Sequence, residues 1–194
     1  MNLPAIRGQI AASIAVKQAL LTDEKLVGQI EKLAVDCVRC LQVGGKVIFA
    51  GNGGSFADAQ HLSAEFISRF MFDRDPLASL VLGANNSAIS AIGNDYGFEQ
   101  VFARELQGLA RPTDVFIPIS TSGNSRNILL AVEEAKNQGV ATVAFTGEGG
   151  GRLRELCECI SVPSLDTARV QESHIMIGHI ICSLVESLYF EVKT

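Results

Sequence analysis

No stretch of the sequence stays apolar long enough to cross a membrane, because Arg7, Lys17 and Glu24 interrupt the N-terminal region. That region also lacks the continuous apolar core and cleavage site of a signal peptide, so the chain is expected in the cytoplasm. Nor is there an excess of basic charge. With a net charge of −5 and a pI near 5.2, no global positive field draws in nucleic acid. An anionic ligand would have to be met by local backbone amides and a few arginines. Cysteine is sparse, at positions 37, 40, 157, 159 and 182. Cys37 and Cys40 form a C-x-x-C inside a helical pattern, with no second such pair to complete a zinc site. Small core residues in a reducing compartment are the expectation. Repeats, low-complexity tracts and linkers are all missing from the 194 residues, which fit one domain, 1–194.

What is present is apolar. The chain is 47% hydrophobic and only 19% charged, a surplus that suggests apolar helix surface buried between subunits. Residues 3–21 and 23–43 read as two helices, with Thr22 or Asp23 the N-cap between them and Gly44-Gly45 ending the second. Short apolar or β-branched runs follow: 46–50, 78–83, 114–120, 141–147 and 159–164. Helical patterns separate most of them, at 56–71, 86–92 with 98–109, 125–138 and 152–157, and a long apolar helix over about 168–190 closes the chain. Strands that read as continuous apolar runs, alternating with helices, predict an α/β fold. Its five-stranded parallel sheet is covered by helices on both faces. The N-terminal pair, 1–43, lies outside that alternation and is expected to serve oligomerisation.

Ligands of an open parallel sheet bind at the carboxyl ends of its strands. Two such ends carry unusual loops. Ser120-Thr121-Ser122-Gly123-Asn124-Ser125 offers four hydroxyls just before a helix. A helix N-terminus has unpaired N–H groups and partial positive charge, which suit a phosphate monoester without a lysine. A plain N-cap at Asn124 or Ser125 would explain one of those hydroxyls but not four. Gly51-Asn52-Gly53-Gly54-Ser55 is neither G-x-G-x-x-G nor a Walker A loop. Its glycines fit a tight turn or the close approach of a ligand to the backbone. The third glycine-rich loop, 147–152, lacks hydroxyls and reads as a turn.

On the helix opened by Ser55, His61 and Glu65 stand one turn apart on one face. The pair is a surface i,i+4 contact, a metal-ligand pair or a base with its neighbour. In the closing helix His179 sits among isoleucines, with Gln171, Glu172 and His174 upstream. Gln171 and His179 lie roughly 12 Å apart along a continuous helix axis. They share a site only if the glutamine reaches inward or another subunit contributes.

Taken with Gly93-Asn94-Asp95-Tyr96-Gly97, these segments together resemble the phosphoheptose isomerases of the sugar isomerase (SIS) domain family, over essentially the whole chain. The resemblance implies interconversion of sedoheptulose 7-phosphate and D-glycero-D-manno-heptose 7-phosphate through an enediol(ate), the first step toward ADP-heptose and the lipopolysaccharide core. It implies Glu65 as base and His179 as acid. Ser120, Thr121, Ser122 and Ser125 would hold the phosphate, while Asn52, Gly53, Gly54, Ser55, Asn94, Asp95 and Gln171 contact the sugar chain and Arg69 offsets charge. It also implies zinc on His61, Glu65, Gln171 and His179, and a homotetramer with sites shared between subunits. Some members carry an aspartate two to three residues before the glutamine, where this chain has Ala168 and Arg169, with Asp166 nearby. A non-catalytic SIS paralogue that binds the replication initiator protein is the alternative. It lacks the carboxylate and the histidine present here as Glu65 and His179.

Overall fold

The computed structural model describes residues 2–191. Helices α1 (Leu3–Thr22) and α2 (Glu24–Gln42) come first, then β1 (Val47–Gly51), α3 (Gly54–Ile67), β2 (Ser79–Val81), α4 (Asn86–Tyr96) and α5 (Val101–Leu109). The second half contains β3 (Val115–Ser120), α6 (Arg126–Asn137), β4 (Ala141–Thr146), β5 (Glu158–Ser161) and α7 (Thr167–Tyr189). Short 3-10 turns precede α5 and β5. All five strands are parallel, in the order β2-β1-β3-β4-β5.

Both faces of the sheet are buried, which is why its strands read as unbroken apolar runs. Within β1, Val47 and Phe49 point into one core with α2, α3 and α7, while Ile48 and Ala50 point into another with α5 and α6. Asp23 is the N-cap of α2, its carboxylate accepting from the Leu26 N–H at 3.0 Å. Cys37, Cys40 and Cys182 are core residues as expected, whereas Cys157 and Cys159 are only half-buried, beside and on the edge strand; all five are free thiols. Burial pushes the Cys40 thiol up to about 11 and the Cys182 thiol up to about 12, so both stay protonated at neutral pH.

Several element bounds differ from the sequence reading: strand 78–83 shortens to Ser79–Val81, the helical pattern 152–157 is a 3-10 turn over Gly151–Glu155, and α3 and α4 end elsewhere. The pattern over 56–71 predicts a helix through Met71, but α3 ends at Ile67. The Arg74 guanidinium turns back to donate to the carbonyls of Glu65, Phe66 and Ser68, and so substitutes for another helical turn. Conversely, α4 continues past residue 92 to Tyr96 and is stopped at Gly97, whose φ of +92° a side chain would resist. Among the described residues no helix is long and apolar enough to cross a membrane.

Candidate active site

Strand order determines where the unusual loops meet. β1 lies between β2 and β3, so chain winding reverses beside it, and the crevice for a ligand opens at that switch point. Gly51 of β1 pairs with Ile119 of β3, and the loops that follow leave the sheet side by side. They are joined by a reciprocal amide pair. Asn52 Nδ2 donates to Asn127 Oδ1, and Asn127 Nδ2 to Asn52 Oδ1, both at 2.9 Å. Asn127, buried in the first turn of α6, escaped the sequence reading. A buried polar side chain leaves no trace in apolar periodicity.

The glycines of the first loop have two separate reasons. Gly53 precedes α3 with φ +56°, a turn conformation that glycine adopts freely. Gly54 has an ordinary φ, but a Cβ there would sit 2.6 Å from the Gln171 Nε2. The close neighbour of this backbone is therefore the Gln171 side chain, which reaches inward from α7. Ser55 is buried in the turn that follows.

In the second loop the capping explanation fails. Ser125 occupies the N-cap position of α6, yet its side chain caps no first-turn N–H. Instead the Ser120 hydroxyl donates to Ser125 Oγ at 3.2 Å. Asn124 braces the loop, its Nδ2 donating to the Ser122 carbonyl at 2.9 Å and its Oδ1 accepting from the Arg152 N–H at 3.0 Å. Thr121 and Ser122 line a cleft of about 350 Å³ with Glu148, Ser164 and Thr167 at the start of α7. Asp166 caps α7 through the Ala168 N–H at 2.9 Å, so its carboxylate is engaged in holding the helix.

The third part is formed by α3 and α7, packed side by side. His61 Nε2 stands 3.3 Å from Glu65 Oε1 and 2.8 Å from His179 Nε2. Donor atoms of all three residues lie within 4.8 Å of one another. Two nitrogens and one carboxylate oxygen are a donor set that zinc takes. His179, indistinguishable in sequence from a core histidine, is half-exposed here and stacks on Phe70, ring centroids 5.4 Å apart. Asp58 also belongs to this region. Its Oδ2 is buried without a partner, and burial pushes its carboxyl up while nearby His61 pulls it back.

Not every expected residue arrives at this crevice. Asn94 and Asp95, bonded to each other at 2.8 Å, line a separate concavity along α4 with Asn86, Ser87 and Ser90. Arg69 lies beyond the end of α3 and is exposed. Gln171 sits against Gly54, two helical turns before His61 on α3.

The SIS domain family profile matches residues 12–147. The phosphoheptose isomerase of Aneurinibacillus thermoaerophilus is 52% identical over 189 residues, covering 97% of this chain and 96% of that protein. Among solved structures, a phosphoheptose isomerase from Francisella tularensis superposes with a TM-score of 0.91 at 35% identity, over 96% of this chain and 99% of its own. That from Neisseria gonorrhoeae gives a TM-score of 0.90 at 38% identity, over 96% and 100%. With its two loops at the switch point and likeness running end to end, the chain belongs to the phosphoheptose isomerase family of SIS-domain proteins.

Proposed function

We infer that the chain is an aldose–ketose isomerase interconverting sedoheptulose 7-phosphate and D-glycero-D-manno-heptose 7-phosphate, the first step toward ADP-heptose and the lipopolysaccharide core. The observation that carries this is the convergence of a carboxylate, Glu65, and an imidazole, His179, from different helices onto one point around His61. Isomerisation moves a proton between C1 and C2 through an enediol(ate). The Glu65 carboxylate takes the proton from C1 of the ketose and returns it to C2. His179 gives a proton to the oxygen on C2 and accepts one from the oxygen on C1, so no charge accumulates. Ser120, Thr121, Ser122 and Ser125 hold the phosphate at the start of α6, where the hydroxyls and the helix N-terminus supply donors. This anchor fixes the reacting carbons against Glu65. Asn52, Gly53, Gly54 and Ser55 orient the sugar chain from the other loop.

His61, Glu65 and His179 would hold a zinc ion, and Gln171, whose amide stands against Gly54, is the fourth donor of the proposed set. When bound, zinc would supply a Lewis acid to polarise the substrate carbonyl. A metal-bound carboxylate is a weaker base than a free one, so chelation separates the two roles of Glu65.

A homotetramer in the cytoplasm completes the proposal, the whole chain acting as one SIS domain and residues 1–43 serving assembly. Its support is α1, which exposes Leu3, Ile6, Ile10 and Ile14 at helical spacing. Asn94, Asp95 and Arg69, placed away from the loops of their own chain, then act at a neighbour's crevice. The adaptor alternative is not supported. The isomerases match end to end, and both residues that the adaptor lacks are present and brought together.

The test is turnover of sedoheptulose 7-phosphate by purified protein, with and without chelator. Glu65→Gln should lower kcat by roughly two to four orders of magnitude, the usual loss of a general base. Activity lost on chelation and restored by zinc supports the metal site. A wild-type enzyme that leaves this sugar unchanged refutes the function.

A further inference from the structure

Below the crevice lies a buried ion pair that the reaction does not use. Arg74 Nε donates to Glu186 Oε1 at 2.8 Å, with side chains 3% and 0% exposed. Each partner is also bonded to the segment that ends α3. Arg74 donates from Nη2 to the Glu65 carbonyl at 2.8 Å and from Nη1 to the Phe66 carbonyl at 2.8 Å. Glu186 accepts from the Phe70 N–H at 2.9 Å and the Met71 N–H at 2.7 Å. Phe70 in turn lies flat on the His179 ring, at an interplanar angle of 26°. Glu186 itself follows His179 by two turns on the same face of α7.

Removing two charges from water is costly, and a buried pair is weak evidence of a stabilising role. The geometry here is instead specific. Burial alone pushes the Glu186 carboxyl up, but the two N–H donors and Arg74 outweigh it and hold it below the usual carboxylate range. The pair is thus fully ionised and fully bonded at neutral pH. One of its members grips the backbone of Glu65, and the other grips the backbone of the ring that backs His179.

Building on the assignment of Glu65 and His179 above, we propose that Arg74 and Glu186 are positioning residues that set the separation and orientation of the base and the acid. Neither touches substrate. Arg74 acts through the end of α3, which carries Glu65, and Glu186 acts through Phe70 on the His179 imidazole.

Glu186→Gln keeps the shape but loses the charge, and Phe70→Leu removes only the ring, leaving the backbone bond to Glu186. Both are compared with wild type and Glu65→Gln in turnover of sedoheptulose 7-phosphate. Misplaced catalytic groups should lower kcat about 10- to 100-fold, with KM within about twofold. The protein has three histidines. In 15N-histidine spectra the His179 imidazole signals should therefore shift in Glu186→Gln, which keeps the Phe70 ring, while those of buried His174 stay in place. Should Glu186→Gln fail to fold, Phe70→Leu alone decides the matter. A folded Phe70→Leu with wild-type kcat overturns the proposal, whatever its His179 signals do. Full activity in Glu65→Gln would instead overturn the site assignment on which it rests.

Discussion

His174 is wholly enclosed between α7 and the sheet, and its Nε2 lies 3.0 Å from the Thr146 carbonyl. A carbonyl only accepts, so Nε2 carries the hydrogen and the buried, unpartnered Nδ1 is a bare lone pair. Burial disfavours the charged ring and lowers its pKa from the usual 6.5 to about 4, although the Thr146 bond opposes the shift. Between those values the unfolded chain binds a proton that the folded chain refuses, so stability falls as pH drops from 6.5 toward 4 and is unaffected above 6.5. His174→Gln retains a donor for Thr146 without the titration. Urea unfolding at pH 7 and pH 4.5 should show the wild type losing about 2.5 kcal/mol more than this variant. Equal losses in the two proteins would sink the explanation. The same helix thus holds a histidine chemically silenced by burial and, five residues on, the half-exposed His179.

At the scale of elements, the crevice depends on how closely α3 and α7 approach. Gly178 makes this possible, because a methyl group there would overlap the buried Leu62 side chain. His61 and His179 are the adjacent residues on the two helices, so the same contact sets the 2.8 Å between their Nε2 atoms. Gly178→Ala should cost about 1–3 kcal/mol of stability through overpacking. It should also reduce kcat by separating the helices. Adding Leu62→Ala makes room for the methyl and should recover much of the activity, although the shortened leucine costs stability of its own. No recovery in a folded double variant would mean that the helix spacing is not what the glycine controls.

For the whole molecule, assembly turns on α1. Leu3, Ile6, Ile10 and Ile14 are each more than half exposed, an apolar stripe on a helix that its own chain covers mainly near Leu20. Two polar ties join the helix to α7. Lys17 pairs with Glu172 at 3.0 Å, and Arg169 donates to the Gln9 carbonyl at 2.8 Å. The helix is therefore docked on α7 with its apolar stripe outward. If α1 assembles the proposed tetramer, Ile6→Glu with Ile10→Glu should give smaller species than the wild type in light scattering. If the sites are shared, activity should fall as well. A mass unchanged from wild type would mean that this stripe assembles nothing.

Most element types, the parallel sheet and the place of both strand-end loops were legible from apolar periodicity and loop chemistry, because burial on both faces writes unbroken apolar runs and glycine marks a turn. The resemblance to the isomerases rested on the same segments. Several things were decided only in three dimensions. Asn52 and Asn127 are 75 residues apart, and they meet because β1 and β3 are neighbours. Arg74 ends α3 earlier than its pattern suggests, since long-range hydrogen bonds to its carbonyls replace local ones. His179 differs from His174 only in which side of α7 it occupies relative to α3 and the sheet. Periodicity reports whether a face is buried, but not what buries it. The partner of a polar side chain depends on contacts between distant segments, which strand order and helix packing alone create.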